Sequence, residues 1–177
     1  MRFINKYLLI SMATLIVTGC FWQPAQAHLM EVQHGTLNII DDGAFIVLSL
    51  PISAFGGIDS NKDGVVSMVE FNKNRSTIIK SVKTRITLSQ NKESVPLEGI
   101  MLAPEVAHDT SAGFMSQLVV LGRFSLAENS HVLLFSNGLY GREKTEQLVK
   151  ISATRQSDGK KHILELTPEA PSGELNF

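Results

Sequence analysis

Leu37-Asn38-Ile39-Ile40-Asp41-Asp42-Gly43-Ala44-Phe45-Ile46-Val47-Leu48-Ser49-Leu50 is the stretch on which the fold turns. Two apolar runs meet at Asp41-Asp42-Gly43, and Asp-Gly between apolar runs is a strong hairpin signal because Gly accepts positive φ. Leu29 to Ile40, with Val32, Leu37, Ile39 and Ile40, reads as the first strand. Ala44 to Leu50, a near-continuous apolar run bounded by Pro51, reads as a second, buried strand.

Outward from this hairpin the character changes and then returns. Pro51 to Phe55 opens a short helix, weakened by Gly56-Gly57. Val69, Ile78, Ile79, Val82 and Ile86 are loosely helical in spacing and predict a helix from about Ser67 to Lys83. Its basic C-terminal half suits the helix dipole. Strand patterns resume at Thr84–Leu88, Val95–Leu102, Gln117–Ser125 and His131–Ser136. Gln147–Arg155 and His162–Leu166 flank Ser157-Asp158-Gly159-Lys160, a second hairpin signal. Ala103 to Gly113 reads as a loop and the tail from Pro168 as loose chain. Seven or eight strands and one substantial helix predict a mainly β fold, a β-sandwich or open barrel, with the helical insert between strands two and three.

The chain has 177 residues, 44% hydrophobic and 19% charged, the profile of a globular rather than a disordered protein. A formal charge of -1 provides no basic field for nucleic acid. Cys20 is the single cysteine, so no internal disulfide forms.

The N-terminus reads as an address. Arg2 and Lys6 precede an apolar run, Tyr7 to Gly19, too short for a comfortable membrane span, and Ala25-Gln26-Ala27 supplies the small residues of a cleavage site. Residues 1–27 are then a signal peptide and 28–177 the exported β-rich domain. Val17-Thr18-Gly19-Cys20 offers a second reading, a bacterial lipobox, in which Cys20 is lipidated and anchors the chain to the membrane. Both place the protein outside the cytoplasm, in the periplasm or secreted.

One motif carries chemistry. From Asp59 to Glu70 the sequence is Asp-Ser-Asn-Lys-Asp-Gly-Val-Val-Ser-Met-Val-Glu. Asp59, Asn61 and Asp63 offer side-chain oxygens at positions 1, 3 and 5, and Gly64 permits the sharp turn at 6. Val65 offers its carbonyl at 7, Ser67 its hydroxyl or a bridging water at 9, and Glu70 a bidentate carboxylate at 12. Val66 at position 8 packs the loop onto the core. Hard oxygens without Cys or His suit Ca²⁺ rather than zinc or copper. The competing reading is a solvated Asx turn in which Ser67 caps the helix and Glu70 completes a capping box.

This stretch resembles the EF-hand, over about Ser53 to Lys83. The resemblance implies Ca²⁺ as cofactor, held by Asp59, Asn61, Asp63, Val65, Ser67 and Glu70. The short entering helix and the lack of a second loop depart from paired sensors. They imply a structural site of Kd roughly 10⁻⁴–10⁻³ M rather than a switch. The mature chain is also similar to the periplasmic N-terminal domain of HupE/UreJ-type membrane proteins, on the strength of Ala27-His28 and the Asp59–Glu70 loop. The transmembrane helices of that family have no counterpart here, so its nickel or cobalt transport does not carry over.

The histidines are His28, His34, His108, His131 and His162, and the alternative function uses His28, with a second histidine on a neighbouring strand completing the site. Cleavage after Ala27 leaves His28 with an α-amine and an imidazole, a chelating pair for Cu²⁺ or Ni²⁺ in a periplasmic accessory protein. No two histidines stand at a ligand spacing such as H-x-H. The basic helix residues Lys73, Arg75, Lys80, Lys83 and Arg85 read as a solvated face before an anionic-lipid one. No G-x-S-x-G, H-E-x-x-H, Walker A or dinucleotide fingerprint occurs, so a non-enzymatic module with an unidentified protein partner is expected.

Overall fold

The computed structural model describes residues 33–106, 113–127 and 132–177. The leader, Cys20, His28, His108 and His131 lie outside the described residues.

The first hairpin forms as the sequence predicts. β1 (Gln33–Ile40) alternates strictly, with Gln33, Gly35, Leu37 and Ile39 inward and His34, Thr36, Asn38 and Ile40 outward. It pairs antiparallel with β2 (Gly43–Pro51), Ile40 opposite Gly43. The turn differs in one respect. Asp41, not Gly43, takes the left-handed backbone (φ 50), which a short polar side chain tolerates. Gly43 is needed for space instead: a Cβ there would lie 2.8 Å from both Arg123 Nε and the Phe45 ring.

β2 is not buried on both faces. Ile46, Leu48 and Leu50 point inward, whereas Phe45 and Val47 are each 40% exposed. The apolar run reads as continuous only because the outward face of this sheet is itself partly apolar.

A short 3-10 turn (Ile52–Ala54) occupies the expected helix at Pro51–Phe55. α1 (Met68–Arg85) follows the acidic loop. The chain then enters β3 (Ile86–Gln90), β4 (Glu93–Val95) and β5 (Leu97–Val106). Next come β6 (Met115–Ser125), β7 (Leu133–Asn137), β8 (Val149–Arg155), β9 (Lys161–Leu166) and β10 (Ser172–Leu175). Ten strands stand among the described residues where seven or eight are expected, and several boundaries shift. The helix runs on through Thr84 and Arg85, so the strand expected from Thr84 begins at Ile86. Pro96 splits Val95–Leu102 between two strands in different sheets. The Ala103 end of the expected loop continues β5 to Val106, and Pro104 is tolerated because β5 is an edge strand. The tail from Pro168 is not loose: β10 pairs with β7 and buries Leu175.

The described residues form two sheets. One is six-stranded, ordered β5-β6-β2-β1-β8-β9, antiparallel except where β1 runs parallel to β8. The other is four-stranded, ordered β10-β7-β3-β4. The protein is mainly β, in a sandwich-like arrangement with a single α-helix among the described residues.

One apolar cluster joins the layers. Ile46, Leu48, Leu118 and Phe124 come from the larger sheet, and Ile86, Leu88 and Phe135 from the smaller. Phe71, Ile78 and Val82 come from one face of α1. Fully burying each such side chain contributes about 1.5–3 kcal/mol, so the sandwich core, not the loop, is the main source of stability. α1 lies between β2 and β3 in the chain and carries it from the larger sheet to the smaller. That position sets the loop at the crossover between the sheets. No helix among the described residues is long and apolar enough to cross a membrane.

Candidate metal centre

The loop is an exposed bracket with buried feet. Phe55 and Ile58 on its entering side, and Val66 and Phe71 on its leaving side, are all buried in the core. Residues 60–64 between them are exposed. Two left-handed residues, Lys62 (φ 60) and Gly64 (φ 89), wind the chain tightly enough to fold it back on itself.

Each acidic or amide side chain of the motif is held by a backbone or side-chain donor of the same loop. Asp59 accepts the amides of Lys62 at 2.7 Å and Gly64 at 3.0 Å, one on each oxygen. Asn61 accepts the Asp63 amide at 3.1 Å and donates its side-chain amide to Asp63 at 2.7 Å. Asp63 also accepts the Val65 amide at 3.0 Å. These are local side-chain to backbone bonds of the kind Asp and Asn favour in turns.

Glu70 closes the loop. Its Oε1 accepts the Ser60 amide at 2.8 Å and the Asn61 amide at 3.3 Å. Its Oε2 accepts the Ser67 amide at 3.0 Å and the Ser67 hydroxyl at 2.9 Å. The Glu70 amide in turn donates to Ser67 Oγ at 3.3 Å, so Ser67 caps α1 and the capping box is complete. The Ser67 amide and hydroxyl, then the Ser60 and Asn61 amides, hold the Glu70 carboxyl down to about 2, against the opposing effect of burial.

The structure therefore brings Asp59, Asn61, Asp63, Val65, Ser67 and Glu70 into one closed turn, with the Asx turn and capping box formed. It does not bring three carboxylates together: among the described residues no group of three or more His, Cys, Asp or Glu side chains stands ready to hold a metal. Nor does any ion pair among the described residues involve Asp59, Asp63 or Glu70. Three anionic side chains are thus held by neutral donors alone.

Sequence reasoning missed Asn74. Its side-chain amide donates to the Ile58 carbonyl at 3.1 Å and to the Glu70 carbonyl at 2.9 Å, tying the start of the loop to the first turn of α1. Its position four residues after Glu70, on the same helix face, was the available signal. The two described histidines do not form a pair. His34 stands opposite Lys150 of β8, and His162, on β9, stands opposite Ala153 and packs edge-on to Phe177. The basic helix residues are dispersed, with Arg75 over the Phe71 ring and Arg85 donating to the Gly138 carbonyl at 3.3 Å.

No family model matches the chain, and the comparison with curated proteins finds no match.

Proposed function

We propose that this chain is an exported, non-enzymatic calcium-binding module, with one Ca²⁺ held by the Asp59–Glu70 loop as a structural clip. The observation that supports the reading is the closure of the loop by Glu70 onto Ser60 and Asn61, which returns the position-12 carboxylate to the start of the loop. The donor set fits the cation. It is made of carboxylates, an amide oxygen, a hydroxyl and the Val65 carbonyl, with no nitrogen or sulfur ligand. Bound there, Ca²⁺ would supply positive charge to a turn whose anions form no ion pair among the described residues, and it would do no redox or acid–base chemistry.

The same geometry argues for weak affinity. Both oxygens of Glu70 are already engaged, each by two donors. A cation taking both oxygens must displace part of that set, so binding exchanges hydrogen bonds for ligation instead of filling a vacant cage. This supports a Kd at the weak end, roughly 10⁻⁴–10⁻³ M. At ten times Kd the cation adds about 1.4 kcal/mol, a modest supplement to the core. Calorimetric titration tests the reading. One Ca²⁺ per chain is expected, abolished in Glu70→Gln, with Mg²⁺ much weaker because it requires tighter octahedral geometry. An absence of heat and of competition with a calcium indicator at several mM Ca²⁺ contradicts it.

A further inference from the structure

Val66 stands between Val65, whose carbonyl is assigned to the cation, and Ser67, the helix cap. Its own carbonyl accepts the Met115 amide at 3.0 Å. Met115 is the first residue of β6 and lies opposite Val106 at the end of β5, next to a shift in the pairing register. Both partners of this bridge are buried, Val66 at 6% and Met115 at 5% exposure. A backbone hydrogen bond at that burial is costly to lose without replacement. The bridge therefore fixes the loop's leaving segment to the six-stranded sheet, one residue from the assigned carbonyl ligand.

We propose that the Val66–Met115 bridge couples calcium occupancy of the loop to the order of the Val106–Met115 end of the β5–β6 pair, which makes that end of the sheet the place where occupancy is read. This inference rests on the calcium reading above. Its physical basis is entropic. With Val66 held, the backbone from Val65 to Ser67 is already ordered when the cation arrives. Without the bridge, binding must order it. Coupling of this kind is reciprocal, so the factor by which the bridge tightens calcium is the factor by which calcium stabilises the bridge.

Met115→Pro removes the donating amide at the first residue of a strand, where proline is best tolerated. Met115→Leu keeps both the amide and the volume. In calorimetric titrations of the intact chain, Met115→Pro is expected to bind Ca²⁺ roughly three- to tenfold more weakly, as for the loss of one hydrogen bond. Met115→Leu is expected to match the parent protein. Independently, amide exchange at Met115 in the unsubstituted protein is expected to slow when EDTA is replaced by Ca²⁺, while exchange at Lys160, in the exposed β8–β9 turn, is unchanged. No binding by the parent protein overturns the calcium reading and the coupling with it. Normal binding by the parent and equal binding by Met115→Pro overturns the coupling alone. If Met115→Pro does not fold, the exchange measurement decides, and an unchanged rate at Met115 in a calcium-binding parent rejects the proposal.

Discussion

Two turns of this protein each hold a carboxyl at about 2, and they do so by opposite means. At the β8–β9 turn, Asp158 is gripped by Arg155 through two bonds, 3.1 Å from Nε and 2.7 Å from Nη2, with Lys160 at 3.7 Å. The Arg155 bond is the main reason its carboxyl is lowered from 3.8 to about 2. At the Asp59–Glu70 loop, Glu70 is lowered from 4.5 to about 2 by amides and a hydroxyl, with no ion pair to it among the described residues. One turn holds its carboxyl by an ion pair. In the other, no ion pair among the described residues includes Asp59, Asp63 or Glu70, and neutral donors hold them. The same lowering of a carboxyl thus comes from neutral donors in one turn and from an ion pair in the other.

Removal of each acid separates the two turns most strongly. Glu70→Ala is expected to lower the urea midpoint more than any other single change in either turn, because it strips the acceptor from the Ser60, Asn61 and Ser67 donors and leaves Ser67 without its capping-box partner. Asp158→Asn is expected to give the smallest shift, since an exposed pair of this kind contributes little. If Asp158→Asn costs as much as Glu70→Ala, neutral donors are not what distinguishes the loop.

Between these lies Gly64→Ala. Gly64 sits at φ 89 in open space, so a methyl group meets no clash but must adopt a left-handed backbone. A loss of about 1–2 kcal/mol is expected, read by urea unfolding. A neutral result means that the loop relaxes to another winding.

Acid and salt also act differently on the two turns. Both folded carboxyls lie below their ordinary values, so each contributes stability above that value and loses it as the pH falls toward about 2. For Glu70 the loss runs from about 4.5 down to 2, and for Asp158 from about 3.8 down to 2. High salt screens the Arg155–Asp158 pair but not bonds to neutral donors. In high salt the destabilisation between pH 4.5 and 2 is therefore expected to persist in Asp158→Asn and to shrink in Glu70→Gln. The reverse pattern would assign it to the ion pair.

The loop and helix were legible in the sequence because their bonds are local. Ser67 three residues before Glu70, with Ile78 and Val82 returning on one face, specifies a capped amphipathic helix without reference to the rest of the chain; Val69, read into the same stripe, is 76% exposed, and Phe71 takes the buried position instead. The strands were legible as faces but not as partners. Nothing in the alternation of Gln33–Ile40 says that it lies parallel to Val149–Arg155, because that pairing joins distant segments. The β10 strand escaped for the same reason: its four residues, Ser172 to Leu175, have little pattern, and β7 supplies the order. In the Asp59–Glu70 loop, the residue types and spacing were visible. That Glu70 already spends both oxygens on protein donors was not, since it depends on where Ser60 and Asn61 direct their amides.

The most direct test of the central claim is thermal unfolding of the protein in EDTA and in a few mM Ca²⁺, beside Glu70→Gln. The expected result is a Ca²⁺-specific rise in Tm of about 3–6 °C, the equivalent of roughly 1.4 kcal/mol in a domain of this size. The rise is absent in Glu70→Gln and is not reproduced by Mg²⁺. Equal midpoints in EDTA and Ca²⁺ for the unsubstituted protein would contradict the account and leave Asp59–Glu70 as a capped turn that holds its charge without a metal.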